Sequence, residues 1–280
     1  MAHQLTRRGR DRSQRATPRC NGESASEISP HHLIHGKLQP PQSASTCIER
    51  PALVARLDAA AKQKLILLTA PAGSGKTTLL AQWYRQACGV QAIAWLSLDE
   101  HDNEPVRFFS YLIAAFKNVC PSFDAYIPHQ TVDTESLDAV VEVMITSLGR
   151  LNTPVCVVLD ELSLLNTTTL LRAVDDLLLQ SPASVRWILA GRGMPALHMS
   201  QLRLNDQLST FGPADLNFDT TAIVQLGERL CHRQLTQDEA LSIQRSTEGW
   251  VAGVKLALLA AVDSREGIGD FNGSHYEVAR

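Results

Sequence analysis

The run Leu65-Ile66-Leu67-Leu68-Thr69 passes directly into Ala70-Pro71-Ala72-Gly73-Ser74-Gly75-Lys76-Thr77, and no other stretch of the chain constrains the fold as tightly. An unbroken apolar run of strand length, with no polar alternation, is the pattern of a parallel strand covered on both faces. Parallel strands need long crossovers, so such a run implies alternating strands and helices. The loop after it carries Gly73 and Gly75, which can take backbone angles closed to other residues. Successive N–H groups then converge, and the following helix adds its positive end. That is a cradle for phosphate. The eight residues fit the P-loop pattern, with Ala70 where its strict form has Gly. In that pattern Lys76 places a charge between β- and γ-phosphates, and the Thr77 hydroxyl ligates Mg²⁺. Residues Ala70, Pro71, Ala72, Gly73, Ser74, Gly75, Lys76, Thr77 and Thr78 are therefore the candidate nucleotide-binding set.

The rest of the chain agrees with an α/β reading. Arg50 to Lys62 and Thr77 to Ala87 read as helices flanking the first strand. Ala92 to Leu98 is a second strand, running into Asp99, Glu100 and Asp102. Pro105 opens a helix with Val106, Phe109, Ile113 and Phe116 on one stripe, and Leu137, Val140, Val141, Met144 and Leu148 mark another. Val155 to Asp160 is a third buried strand, Leu171, Val174 and Leu178 stripe a helix, and Arg186 to Ala190 is a fourth strand. These four strands predict a parallel sheet with helices on both faces. Past Pro213 only helices are legible: Asp219 to Leu230, Gln237 to Thr247 with a Thr236/Glu239 capping box, and a stripe of Val251, Val254 and Leu258. The expected organisation is a basic disordered arm over 1–34, a nucleotide-binding domain over 35–213, a helical lid over 214–262 and a polar tail over 263–280.

Composition excludes several function classes. The net charge of −3 offers no global attraction to nucleic acid or anionic membrane, and no helix-turn-helix pattern is evident, so direct DNA binding by this chain is not expected. The arm concentrates Arg7, Arg8, Arg10, Arg12, Arg15 and Arg19; a solvated tail is a plainer reading than a nucleic-acid contact. Six scattered cysteines, none in a C-x-x-C pair, read as free thiols in a reducing compartment. No apolar run reaches the roughly 18 residues of a membrane span, and no apolar core follows the basic N-terminus as in a secretory signal. A cytoplasmic protein is expected.

Three further positions carry chemistry. Asp160-Glu161 closes the third strand, where an Asp can orient Mg²⁺ as a Walker-B acid. Glu161 is a candidate base for the attacking water; a helix-capping acid is the other reading. Arg192 leaves the fourth strand, where a guanidinium can read a γ-phosphate; taken alone it reads better as a surface Arg. The cluster Asp99, Glu100 and Asp102 could approach metal, but a solvated loop is the plainer reading. Histidines show no metal spacing, and Trp83, Trp95, Trp187 and Trp250 read as packing residues.

Trp95-Leu96-Ser97-Leu98-Asp99-Glu100-His101-Asp102-Asn103, followed by Arg107-Phe108 and Tyr111-Leu112, resembles the stretch after the P-loop helix in MalT-type regulators. These are ATP-dependent transcriptional activators of the LuxR superfamily, within the STAND class of signalling ATPases. Lys37-Leu38, Arg50, Leu159-Asp160, Leu202-Arg203, Asp206-Gln207-Leu208 and Thr247-Glu248-Gly249-Trp250-Val251-Ala252-Gly253 match in order, over roughly residues 35 to 262. The resemblance implies a switch: an ADP-bound resting monomer, a self-associating form favoured by inducer and ATP, and hydrolysis as reset. It implies Asp160 as Walker-B acid, Arg192 as sensor, and Ile48 and Arg50 near the adenine. Two departures stand out. The family's Asp-Asp-Tyr/Phe-His is Asp160-Glu161-Leu162-Ser163 here, and Val251 stands where many STAND proteins have Pro. The winged-helix, inducer-sensing and DNA-binding parts of such regulators are expected to be missing from this chain.

The combined expectation is a P-loop module that binds ATP or ADP with Mg²⁺, hydrolyses slowly and serves regulation. A P-loop small-molecule kinase and a nucleotide-locked scaffold without catalysis are the alternatives. The first needs an acceptor pocket with its own catalytic acid, for which no residue is evident.

Overall fold

A computed structural model describes residues 33–125, 134–193 and 197–263. The expected basic arm, apart from Leu33 and Ile34, and the polar tail beyond Asp263 lie outside the described residues. Among the described residues five strands form one parallel sheet in the order β2-β3-β4-β1-β5. They are β1 (Leu65–Thr69), β2 (Ala92–Ser97), β3 (Val155–Asp160), β4 (Val185–Gly191) and β5 (Leu208–Phe211). The sequence reading had four strands; β5 is the correction. It lies at the sheet edge beside β1, with only Phe211 of its four residues buried. An edge strand with one buried side chain has neither an apolar run nor an alternation to betray it.

The period-two geometry of the strands explains why both faces are apolar. Leu65, Leu67, Leu96, Val157, Leu159, Trp187 and Leu189 pack on one side, against α3 (Pro105–Val119), α4 (Thr134–Gly149) and α5 (Thr168–Gln180). Ile66, Leu68, Ile93, Trp95, Val158, Ile188 and Ala190 pack on the other, against α1 (Pro51–Ala60) and α2 (Lys76–Ala87). Each fully buried large side chain contributes on the order of 1.5–3 kcal/mol. Trp83, Trp95 and Trp187 are among the largest of these. Their ring N–H groups donate to Asp58 Oδ1, Ser97 Oγ and Ser181 Oγ at 3.1, 2.8 and 3.0 Å, so no indole polarity is stranded in the core.

The chain then runs through α6 (Ser200–Leu204), β5 and α7 (Pro213–Leu216) into α8 (Thr220–Cys231), α9 (Gln237–Thr247) and α10 (Val251–Asp263). The last three helices have their own apolar cluster, including Phe218, Ile223, Leu226, Ile243, Val254 and Leu258. The Thr236/Glu239 capping box is formed at the start of α9. Ile48, from the segment before α1, is part of this same cluster. The stretch around Ile48 is therefore pinned between α2 and α8–α10.

In the acidic cluster after β2, Glu100 is exposed and Asp99 partly so, as a solvated loop predicts, but Asp102 is not. Asp102 is completely buried. It accepts hydrogen bonds from Lys37 Nζ, from Arg107 Nε at 3.1 Å and from the Asp99 amide at 2.7 Å. Burial disfavours charge on Asp99, but its hydrogen bond from Lys37 and the charges of Lys37 and Arg107 hold its carboxyl below the usual range. A buried carboxylate is tolerable only when paired in this way. Lys37, 65 residues away, and Arg107, five residues on, supply the pairing, and a reading of the acids alone could not see it.

Candidate functional site

The parallel register places the ends of β1, β3 and β4 side by side: Thr69 opposite Gly191, and Leu159 opposite Leu189. Ligands of open α/β sheets sit at these carboxyl ends. A cavity of about 400 Å³ lies there, lined by Gly73 to Thr78, Glu161, Ile48 and Arg50, and by Phe218, Val251 and Lys255 from the last part of the chain. That volume suits a small molecule of nucleotide size.

At one end the loop from Ala70 turns into α2. Gly73 and Gly75 have φ of 71° and 86°, the left-handed region that the sequence reading assigned to glycine. A side chain at Gly73 is excluded a second way, since a Cβ there would lie 2.6 Å from Ala252 Cβ. Lys76 is the first residue of α2, and its Nζ donates to the carbonyls of Ala70 and Pro71 at 2.9 and 3.1 Å. Burial lowers its pKa, and the nearby carboxylates of Glu161 and Asp160 act in the opposite sense. Thr77 Oγ1 donates to Asp160 Oδ2 at 2.8 Å, joining the loop to the end of β3. Asp160 is 2% exposed. Burial raises its pKa, with the Thr77 hydrogen bond opposing that shift.

Glu161 follows with φ 60° and ψ 36°, a left-handed conformation that costs a non-glycine residue about 1 kcal/mol or more. Its Oε2 is buried with no hydrogen-bond partner, although Arg192 Nε stands 3.9 Å away. Ser74 Oγ is likewise buried and unmatched. Two orphaned polar atoms flank the cradle, as expected where a polar ligand completes the hydrogen bonding. Arg192 itself lies outside the cavity lining, its side chain 60% exposed, with its backbone N–H donating to Ser163 Oγ at 3.2 Å. Ser163 is the residue standing where the MalT-type pattern has His.

The other end of the cavity is assembled from distant pieces. Gln82 is 2% exposed on α2. Its Nε2 donates to Ile48 O at 2.8 Å and its Oε1 accepts from Arg50 N at 3.1 Å. Arg50 lines the cavity, but its guanidinium is committed to the carbonyls of Leu216, Asp215 and Asn217 and lies over the Phe218 ring. Burial lowers its pKa, partly offset by Asp219. Trp250 Nε1 donates to Ala72 O at 2.9 Å, and Ala252 N donates to Gly73 O at 3.0 Å. The helical region is thus hydrogen-bonded directly onto the phosphate loop.

The family model described as an AAA domain matches residues 59–198, half of the chain. The chain belongs to the AAA domain family. Its fold is that of a P-loop nucleotide-binding ATPase domain. The chain is 31% identical over 233 residues to the HTH-type transcriptional regulator MalT of Klebsiella pneumoniae, and 34% identical over 237 residues to that of Serratia proteamaculans. Those matches cover 82% and 83% of the chain, so the resemblance to MalT-type regulators holds over most of it. The chain spans about a quarter of the length of these curated relatives. The crystal structure of Cdc6p from Pyrobaculum aerophilum shares the fold at 13% identity, with a TM-score of 0.50 over 84% of this chain and 67% of that one. Among the described residues no helix is long and apolar enough to cross a membrane.

Gln82, Phe218 and Lys255 were not singled out from sequence. Gln82 carried a usable signal. It lies three residues after Leu79 and beside Trp83, on helical positions that are otherwise buried, where a polar residue must have a partner. Phe218 and Lys255 gave none, since their place depends on how the last helices fold back.

Proposed function

We propose that this chain is the nucleotide-handling module of a MalT-type transcription regulator, binding ATP or ADP with Mg²⁺ and hydrolysing ATP slowly as a regulatory switch. The observation that carries this reading is the Thr77–Asp160 hydrogen bond of 2.8 Å beside the left-handed glycine loop. Loop, helix start and Walker-B strand meet there. The converging amides of Gly73 to Lys76 and the positive end of α2 would hold the β-phosphate. Thr77 and Asp160 would hold Mg²⁺, which binds through few protein oxygens and completes its shell with phosphate and water. Bound there, the ion supplies charge neutralisation of the phosphate oxygens. Lys76 would shift from the carbonyls of Ala70 and Pro71 to the phosphates, and Glu161 would orient and deprotonate the attacking water. Arg192, beside Glu161, would distinguish a triphosphate from a diphosphate. Ile48 and Arg50 would border the base. The name of the relatives, HTH-type transcriptional regulator, favours a signalling role over metabolism. Self-association of the ATP form, a cytoplasmic setting and an inducer recognised elsewhere in a longer regulator belong to the same proposal.

The test is turnover of ATP by the purified chain with no acceptor present. Slow release of phosphate, with Glu161→Gln binding ATP as wild type while turnover falls about a hundredfold or more, is the expected result. Turnover only on addition of a small-molecule acceptor would replace the switch by a kinase. Binding without turnover would leave a scaffold.

A further inference from the structure

We propose that Asn103 is a positioning residue for hydrolysis, holding the turn that aims Glu161 into the nucleotide cavity. The inference rests on the reading of Glu161 as the base. Asn103 belongs to the Asp99–Asn103 segment, which neither the phosphate site nor the lid explains.

Its amide is used completely. Nδ2 donates to Leu164 O at 2.8 Å and to Glu100 O at 3.0 Å. Oδ1 accepts from Asn166 N at 2.8 Å, from Thr167 N at 3.2 Å and from Thr167 Oγ1 at 3.1 Å. Two backbone N–H groups point at one atom, so the orientation of the amide is settled by its partners. All its partners except Glu100 lie in the turn between β3 and α5. That turn begins at Glu161 and includes the short 3-10 helix Leu162–Leu164.

The link to Glu161 is one residue long. Leu164 N donates to Glu161 O at 3.0 Å while Leu164 O is held by Asn103. Glu161 occupies a left-handed conformation that persists only where its surroundings dictate it. Leu162, buried, and Ser163, bonded to the Arg192 amide, fix the near side of the turn. Asn103 fixes the far side. Asn103 is anchored in its turn by the buried Asp102, which Lys37 and Arg107 clamp. The acidic segment after β2, which lies outside the cavity lining, thereby braces the turn that carries Glu161.

The two halves of the amide make different predictions. Asn103→Asp keeps an acceptor for Asn166, Thr167 and the Thr167 hydroxyl but sets a carboxylate against Leu164 O. Asn103→Ala removes both halves. Both variants of the full chain should lose about tenfold or more in kcat for ATP, with nucleotide Kd within about twofold of wild type. In the Glu161→Gln background Asn103→Ala should cause no further loss, because residues acting as one unit are not additive. Hydrogen exchange gives a readout independent of turnover. Amides of 161–167 should exchange faster in Asn103→Ala and those of β3 should not, while Asn103→Asp should keep 166–167 protected. Unchanged kcat in both variants would overturn the proposal. So would an equal loss in the Glu161→Gln background, or a fall confined to nucleotide affinity. Wild type that binds ATP without turnover would also overturn it and leave the binding site standing. Wild type that binds no nucleotide would instead sink the reading of the site.

Discussion

The two ends of the cavity are built on different plans. The end that we propose for the phosphates is a contiguous octapeptide, and its geometry is dictated by local chemistry: two glycines with positive φ, a helix start, and a Lys and Thr at fixed offsets. The opposite end, where we place the base, is assembled from the entry segment around Ile48, from Gln82 on α2 and from Phe218 far along the chain. Gln82 holds it together through hydrogen bonds to residues 32 and 34 positions away. The first end is written in a motif and the second in tertiary contacts. Trp250 and Ala252, bonded to the carbonyls of Ala72 and Gly73, tie one to the other. A change of geometry at the phosphate loop therefore meets the helical region without an intervening layer.

Substitution at the phosphate end should have the larger effect. Gly73→Ala puts a Cβ into a φ of 71° and against Ala252 Cβ at 2.6 Å. The left-handed conformation alone costs about 1–2 kcal/mol, and the contact is relieved only by moving α10 off the loop. Affinity for ATP and for inorganic triphosphate should both fall about tenfold or more by calorimetry. Equal affinities for wild type and variant would show that the loop does not need this close approach.

At the base end, Gln82→Ala strands the Ile48 carbonyl and the Arg50 amide, a cost of about 1–3 kcal/mol. Urea denaturation should show that loss. The sharper reading is ligand choice: affinity for ATP should drop while affinity for inorganic triphosphate stays near wild type. A parallel loss of both would merge the two ends into one cooperative unit and break the contrast.

The smallest effect belongs to the helical region alone. The Arg233 hydrogen bonds, against the opposing effect of partial burial and with help from Thr236, hold Glu239 at about 2 instead of 4.5. A depressed carboxyl contributes stability above its unfolded pKa and loses it as pH falls through the folded one. The stability gap between wild type and Glu239→Gln should be present above pH 4.5 and close as pH approaches 2. It should amount to about 1 kcal/mol or less, as for a solvent-facing pair. A gap that persists unchanged at pH 2 would assign Glu239 a role other than its charge.

Sequence carried the sheet and the phosphate loop because both depend on near neighbours: apolar runs make buried parallel strands, and glycines make left-handed turns. It missed β5, whose Leu208, Ser209 and Thr210 are only partly covered and whose pairing with β1 is the sole evidence of a strand. It misjudged Asp102, because Lys37, which pairs with it beside the nearby Arg107, reaches it only through the fold. Arg50 was placed near the base by resemblance, and it does line the cavity. What residues alone could not say is that its guanidinium is taken up by three carbonyls between Asp215 and Asn217.

The central claim is that the loop from Ala70 to Thr77 holds a nucleotide's phosphates through Lys76. Titration of labelled ATP with Mg²⁺ into wild type and Lys76→Ala, in matched buffers with folding checked by circular dichroism, tests it most directly. Saturable one-site binding by wild type and a loss of about a hundredfold or more in the variant is the predicted result, since a buried charge-assisted contact is removed. Equal binding by the two folded proteins would contradict the account at its base.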